Sequence, residues 1–199
     1  LIPAAFHYDA SADPRQLKIG YLKKDFDRRY AFHDQDSVAL EKLKAMGFKL
    51  IPIELPESPD LSVILSAEAA AAFDELTLSG RDDLMRRQIK NAWPNSFRES
   101  RFIPAVEYIK ANRLRTKLMQ DMQKVFEQVD VYVHPSWGSR SLNITNHTGH
   151  PCVVIPNGFR NGRPTSLSFT GKLFEEGKIL NLARVYQEAT VHHKQHPVL

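Results

Sequence analysis

Cysteine is almost absent from this chain: Cys152 is the only one among 199 residues. A single thiol excludes an internal disulfide framework and any multi-cysteine zinc site, and it fits a reducing, cytoplasmic compartment. Long apolar runs are missing as well. No stretch reaches the roughly 18 residues that a membrane-spanning helix requires, so no such span is expected. Glycine is sparse, with nine in all. Gly158, Gly162 and Gly171 are spaced wrongly for a phosphate-binding loop, with no lysine in the needed place. Internal repeats and low-complexity linkers are lacking too. The chain opens on Leu1 rather than methionine, so a signal peptide, if the gene encodes one, would lie upstream.

What is present is an ordinary globular composition, 42% hydrophobic and 25% charged, at a length that allows one domain or two small ones. The formal net charge is only +4, but it is unevenly placed. Between Arg86 and Lys124 ten basic residues face only Glu99, Glu107 and Asp121, so that segment alone carries +7 and the rest is slightly acidic. Such a stretch could meet an anionic partner, RNA included. Its aliphatic stripe, and the lack of any interleaved aromatic after Tyr108, point instead to a solvated face or to pairing with an acidic region elsewhere. Nucleic-acid binding is not expected.

Residues 1–16 read as an irregular lead-in broken by Pro3, Asp9, Asp13 and Pro14. Residues 17–22 alternate like a strand. Asp36 and Ser37 are placed to cap a helix with Val38, Leu40, Leu43 and Met46 inward and Gly47 at its end. Residues 49–55 make a second strand closed by Pro56, and strand, helix, strand at these lengths predicts parallel pairing through a right-handed crossover. Three helices follow: 67–76 capped by Ser66, 82–93 ended by Pro94, and the longest from Pro104 to about Gln128. The last carries Val106, Ile109, Leu114, Leu118, Met122, Val125 and Val129 as one stripe. Residues 129–134 and 152–155 are short apolar runs of the buried-strand type. Residues 166–173 alternate, and 175–190 are helical with Ile179, Leu182, Ala183 and Tyr186 inward. The pattern predicts an α/β fold, a mixed, largely parallel sheet with flanking helices in one layered structure.

Few residues suggest catalysis by themselves. A nucleophilic serine needs a base in hydrogen-bond reach and a closely approaching backbone, which usually leaves glycines around it. Ser79-Gly80 and Gly138-Ser139 come nearest, but in neither a Gly-Ser-Ser-Gly nor a Gly-x-Ser-x-Gly context, and both suit turns or caps. His192 and His196 could share a helix face as a zinc pair beside His193. No third ligand is in view, and no glutamate follows His192 as a zincin motif requires. A cationic helix end is the simpler role. His147 and His150 flank a Thr-Gly turn and suit loop hydrogen bonding. No metal or cofactor is expected.

From Asn146 onward the residues are less generic. Asn146, Gly149 and Pro151 make an N-x-x-G-x-P turn, a strand then ends at Pro156-Asn-Gly158, Gly162-Arg-Pro164 makes a second turn, and a helix begins near Phe174-Glu-Glu176. This ordered set resembles the C-terminal signature of the amidase signature family. Upstream, residues 17–22 resemble the strand that follows the family's catalytic region. Residues 67–76 with Ser79-Gly-Arg81, and Tyr108 to Ala111 with Arg115, resemble its mid-domain helices, and Asp130 to Pro135 is similar to its D-x-x-x-x-P strand. The resemblance covers nearly the whole chain but less than half of a family domain. It implies hydrolysis of a carboxylic amide C–N bond by a serine nucleophile, a second serine in a cis peptide and a lysine base, all N-terminal to these residues. No position here matches them, so no catalytic residue is expected in this chain, and alone it is expected to be inactive. Ser166 and Ser168 stand where many members carry glycine and glutamine. That resembles the subgroup usually labelled amidases more than the A subunits of glutamine-dependent tRNA amidotransferases. Both readings stay open, as does a non-catalytic binding module that kept the fold.

In that frame residues 1–16 are a lead-in and 17–199 the C-terminal portion of an amidase-like domain. The segment 136–151, between two core strands, holds Trp137, Asn143, Asn146, His147 and Thr148. Polar groups and one large aromatic on a loop held by rigid strands are what a substrate-pocket wall requires. Trp137, Asn143, Asn146 and Thr148 are therefore the substrate-binding candidates. The alternative is that Asn146 and Thr148 only satisfy the loop's own backbone. The expected partners are a small amide, the N-terminal half of the same domain and a second copy of the chain.

Overall fold

The computed structural model describes residues 6–197; the start of the lead-in, with Pro3, lies outside the described residues. Along the chain come a 3-10 turn at Pro14–Gln16, β1 (Ile19–Leu22), α1 (Lys23–Asp27), α2 (His33–Ala45), β2 (Leu50–Ile53), α3 (Ser62–Ala72) and α4 (Asp74–Leu78). After a second 3-10 turn at Arg81–Leu84 follow α5 (Trp93–Ser100), α6 (Ala105–Gln128), β3 (Val131–Pro135), α7 (Ser141–Thr148), β4 (Cys152–Arg160), β5 (Arg163–Gly171) and α8 (Glu176–Thr190). They divide into two compact units, one of residues up to 56 and from 120 onward, the other of 57–119.

The first unit holds a five-stranded sheet in the order β2-β1-β3-β5-β4. β1 pairs in parallel with β2 and with β3, while β5 pairs antiparallel with β3 and β4. Four strands thus run one way and β5 alone runs back, which is the mixed, largely parallel sheet the pattern predicted. The helical connection between β1 and β2 permits their parallel pairing, because such a connection must return the chain along the sheet. Central β3 is buried at every residue. On one face Ile19, Val131, Val133, Ile155, Leu167 and Phe169 close over Leu40 and Leu43 of α2 and Ile179, Leu182 and Tyr186 of α8. On the other, Tyr132 and His134 alternate with the core valines, and Phe126 of α6 packs on Tyr132 with ring centroids 5.7 Å apart. Asp130 fastens the strands where they begin, accepting from Lys18 N at 3.0 Å and Lys172 Nζ at 2.8 Å. Burial alone would raise its pKa, but these two donors outweigh burial and lower it.

Several boundaries differ from the pattern. α2 begins at His33, so Asp36 is no cap: it lies buried in the first turn and accepts from Tyr30 Oη at 2.6 Å and Asn157 Nδ2 at 2.7 Å. Val38 is exposed, and Ala39 takes the inward place beside Leu40 and Leu43. β4 does not stop at residue 155. It is an edge strand, where a proline's missing N–H is tolerated, so pairing continues through Pro156 and a bulge at Asn157 to Arg160. Asn161 and Gly162, with φ of 50° and 74°, then close the hairpin. Two left-handed residues make the type I′ turn that matches strand twist, and Asn-Gly is its sequence signal.

The segment 136–151 is not all loop, because it contains α7. Ser139 Oγ accepts from Ser141 N at 3.1 Å at the start of that helix. Gly149, with φ 82°, ends it by placing its N–H on Thr145 O at 2.8 Å. A serine before and a glycine after are ordinary start and stop signals. At the other end of the chain α8 stops at Thr190, and Val191 turns left-handed with φ 52°. His192 and His196 therefore do not share a helix face. Among the described residues no group of histidine, cysteine and carboxylate side chains could hold a metal ion.

In the second unit α3 starts at Ser62, whose N–H is held by Asp60 Oδ1 at 2.9 Å, and breaks at Phe73, where α4 begins. Residues 82–93 are not a helix. Gln88 Nε2 donates to the carbonyls of Asp82 and Met85 at 2.9 and 2.8 Å, drawing the segment into a loop. Pro94 opens α5 rather than ending a helix, since a missing N–H is harmless in a first turn. Along and just beyond α6 the stripe splits: Leu118, Met122, Val125 and Val129 are buried, whereas Val106, Ile109 and Leu114 are exposed.

Candidate functional site

In open α/β sheets ligands are held outside the carboxyl ends of the strands. The loop after β3 and the segment following α1 meet there, beyond the neighbouring parallel strands β1 and β3. Arg28 makes the junction. Its Nη2 donates to Gly138 O at 2.5 Å, and its guanidinium lies 5.8 Å from the centre of the Tyr30 ring. Gly138 has φ 80°, so the turn favours glycine, and a Cβ there would come within 2.8 Å of Arg28 Nη2 and displace that guanidinium. Beside it Ser136 Oγ and Ser168 Oγ stand 2.8 Å apart, tying the loop to β5. Sequence reasoning missed Arg28, because it is far from the loop along the chain and no local motif marks it.

Behind the loop runs a row of buried polar groups. His134 Nδ1–H donates to Pro135 O at 3.0 Å, which leaves Nε2 to accept from Thr170 Oγ1 at 3.1 Å. Burial brings the pKa of His134 down to about 4, so the ring is neutral at pH 7. Tyr132 Oη and Ser141 Oγ are 2.8 Å apart, and desolvation pushes the phenol up to about 12. At the far end of α7, Thr148 Oγ1 donates to Ile144 O at 2.9 Å and lies 2.8 Å from His150 Nδ1. With that hydroxyl proton committed, His150 Nδ1–H is the donor between them. The His150 ring stacks on Phe126 at 4.7 Å, and burial lowers its pKa to about 4 as well. These neutral groups in fixed tautomers anchor both ends of α7.

Three of the four candidate residues face solvent and one does not. Trp137 is 63% exposed on the loop. Asn143 and Asn146 are exposed one turn apart on α7, and neither amide has a side-chain partner among the described residues. Thr148 is 2% exposed, its hydroxyl engaged within the protein. Ser79 and Ser139 both sit in turns. Ser79 Oγ donates to Leu76 O at 3.3 Å and accepts from Arg81 Nε at 3.0 Å, Ser139 accepts from Ser141 N, and neither bonds a base. Clefts of 240, 490 and 300 Å³ open near Asp13 and Asn181, near Ala70 and Tyr108, and near Arg87 and Trp93. None of the four candidates lines any of these three.

The sequence profile of the family described as Amidase matches residues 2–145. The chain belongs to the amidase family. The match stops just short of Asn146, where the most specific motifs begin, but curated amidase-family relatives align further. The A subunit of the glutamyl-tRNA(Gln) amidotransferase of Alcanivorax borkumensis is 28% identical, over 93% of this chain and 47% of that protein. The protein of the same name from Geobacillus thermodenitrificans is 32% identical, over 95% of this chain and 48% of its own length. The chain thus spans about half the length of the curated relatives it matches. Solved amidases share its fold. An amidase family protein from Bacillus anthracis superposes with a TM-score of 0.71 at 20% identity, covering 94% of this chain and 41% of that one. The peptide amidase of Stenotrophomonas maltophilia gives 0.69 at 20% identity, covering 98% and 48%.

Proposed function

We propose that this chain is the C-terminal portion of an amidase that hydrolyses a carboxylic amide C–N bond, with residues 17–199 inside the amidase-like domain and 1–16 leading into it. Membership of the family, together with the meeting of two loops at the carboxyl ends of β1 and β3 through Arg28 and Gly138, carries this reading. In it, Trp137, Asn143 and Asn146 form one wall of a pocket for a small acyl or amide substrate. A free carboxamide side chain both donates and accepts, which matches the N–H and C=O of an amide, and an exposed indole can cover an acyl group. Thr148 takes no direct part and holds the end of α7. The nucleophilic serine, its partner serine and the lysine base belong to the N-terminal part of the full-length protein, so this wall binds and positions without supplying the attack.

The test is steady-state kinetics of the full-length enzyme on short aliphatic and aryl amides. Trp137→Ala and Asn146→Ala are each expected to lower kcat/KM about tenfold, the equivalent of ~1.4 kcal/mol, mainly through KM. Unchanged constants in both would remove the wall from the mechanism. The chain alone is expected to turn nothing over; activity that vanished with Ser79 or Ser139 would overturn the whole reading. A second reading, the A subunit of an amidotransferase, is favoured by the names of the curated relatives. Ammonia release from glutamine well above that from simple amides would select it.

A further inference from the structure

We propose that residues 85–96 form a nucleotide-binding platform, on which Trp93 stacks a nucleobase while Arg86, Arg87 and Lys90 meet phosphate. This inference is independent of the amide reading. The platform is one of the two exposed ends of a stack of three rings, the other being Phe73 at 49% exposure. Phe73 and Phe97 lie 4.9 Å apart at 21°, and Phe97 and Trp93 lie 5.4 Å apart at 27°. Phe97, the middle ring, is buried, whereas Trp93 is 51% exposed. An indole backed by a buried ring is a rigid surface that a base can cover at little entropic cost. Trp93 also lines a cleft of 300 Å³ with Met85, Arg87 and Asn91, at the small end of the range for small-molecule sites. The Asn91 side chain has no partner among the described residues and offers both a donor and an acceptor to a base edge.

Arg87 lines the cleft, Arg86 and Lys90 lie on the same loop, and the charges of that loop are uncompensated. Arg98 takes up both nearby acids, with Nη2 2.5 Å from Asp82 and 2.8 Å from Asp83. Arg86, Arg87 and Lys90 are exposed and have no ion pair among the described residues. The loop that carries them is preorganised: Gln88 Nε2 holds Asp82 O and Met85 O, Asn95 Nδ2 holds Ile89 O at 3.2 Å, and Ala92 N–H donates to the same carbonyl at 2.8 Å. An acidic peptide would answer the charge but leave the indole face unused. A nucleotide answers both. The basic run has no aromatic after Tyr108, but Trp93 lies earlier within it, and it is the folding of α5 onto Phe73 that turns this ring into a platform.

The full-length protein is titrated into a fluorescein-labelled single-stranded RNA 12-mer of mixed sequence, with anisotropy read from 50 to 200 mM salt, and AMP is used as a competitor. Trp93→Ala is expected to weaken binding roughly 5- to 100-fold, the range found for loss of one stacked base. Trp93→Phe, which keeps a ring, should stay within about threefold, and thermal melts establish that each variant is folded. Replacing Arg86, Arg87 and Lys90 together by alanine should flatten the slope of log K against log salt by roughly 2, at about 0.7 per phosphate contact. Competition by AMP identifies a free nucleotide as sufficient; binding of the 12-mer without competition identifies a nucleotide within a chain. The proposal falls if wild type does not bind either probe, if Trp93→Ala binds as tightly as wild type, or if a polyglutamate 12-mer displaces the RNA at equal concentration.

Discussion

Single residues in the first unit show where its ionisable groups do their work. His134 and His150 are held neutral by burial, each with a pKa of about 4, against about 6.5 in an unfolded chain. Below pH ~6.5 the unfolded chain therefore takes up protons that the folded protein refuses. Stability falls as the pH drops from ~6.5 to ~4 and levels off beneath, by roughly 3 kcal/mol over the whole window for the enclosed His134 and by less for His150, which solvent screens in part. Asp36 opposes this, because burial raises its pKa and acid then favours the folded state through that group. With both rings acting in the destabilising direction, the urea midpoint is expected to be lower at pH 5 than at pH 7.5, and the difference should shrink in His150→Gln. A midpoint that rose on acidification would contradict the assignment. Asp130 makes a second case. Asp130→Asn keeps the side chain's shape but loses the charge facing Lys172, a half-buried pair at 2.8 Å. The expected loss is about 1–2 kcal/mol in chemical denaturation, and a neutral result would mean the pair is solvated.

Among the elements, α7 depends on what it docks against. Ser141, its first residue, meets the Tyr132 hydroxyl inside the protein. Ser141→Ala would leave that phenol unpaired in a dry site and is expected to lower stability by about 1–2 kcal/mol. Adding Tyr132→Phe should recover most of the loss, and a double-mutant cycle in thermal unfolding reads the coupling. Additive effects would show that the two groups act separately. α8 depends in the same way on the lead-in that crosses it. Asn181 Nδ2 donates to Ala12 O at 2.6 Å and Arg184 Nη2 to Ala10 O at 2.9 Å. A Cβ at Gly177 would lie 1.9 Å from His7 O. Gly177→Ala should therefore lift the strap, seen as faster proteolysis near residues 7–12 with the melting temperature of the sheet little changed.

For the molecule as a whole, the exposed sheet edges matter most. Sheet order puts β2 and β4 outermost. β2 is short and carries Pro52, a residue that discourages further pairing. β4 is nine residues long and shows Val154 at 60% exposure. Leu78, Leu84 and Phe102 of the second unit are also 69 to 86% exposed. Surface of this kind favours association, so copies of the chain are expected to pair, with β4 against β4 across a two-fold axis. Light scattering over a concentration series should show dimers that Val154→Lys weakens. A monomer at high concentration in the unaltered chain would argue that this edge is protected.

The sequence by itself determined the sheet and much of its core. Alternation at 17–22, the apolar run from 129 and the 3.6-residue spacing of Ile179, Leu182 and Tyr186 report burial that each element shows locally, and these are found in place. The run from 152 instead forms its strand at the sheet edge, with Cys152 and Val154 exposed rather than buried. It also held signals for α7 and the Asn161-Gly162 hairpin, whose caps and turn residues are local chemistry. Tertiary structure alone decided what local pattern cannot carry. Asp36 resembles a cap until Asn157, distant in the chain, arrives to bond it. Thr148 resembles a pocket residue until His150 and Ile144 engage its hydroxyl. Arg28 and Gly138 meet only because β1 and β3 lie side by side. In each case the deciding contact joins residues far apart in sequence or buried by a neighbouring element, and its energy exists only once the chain has closed around it.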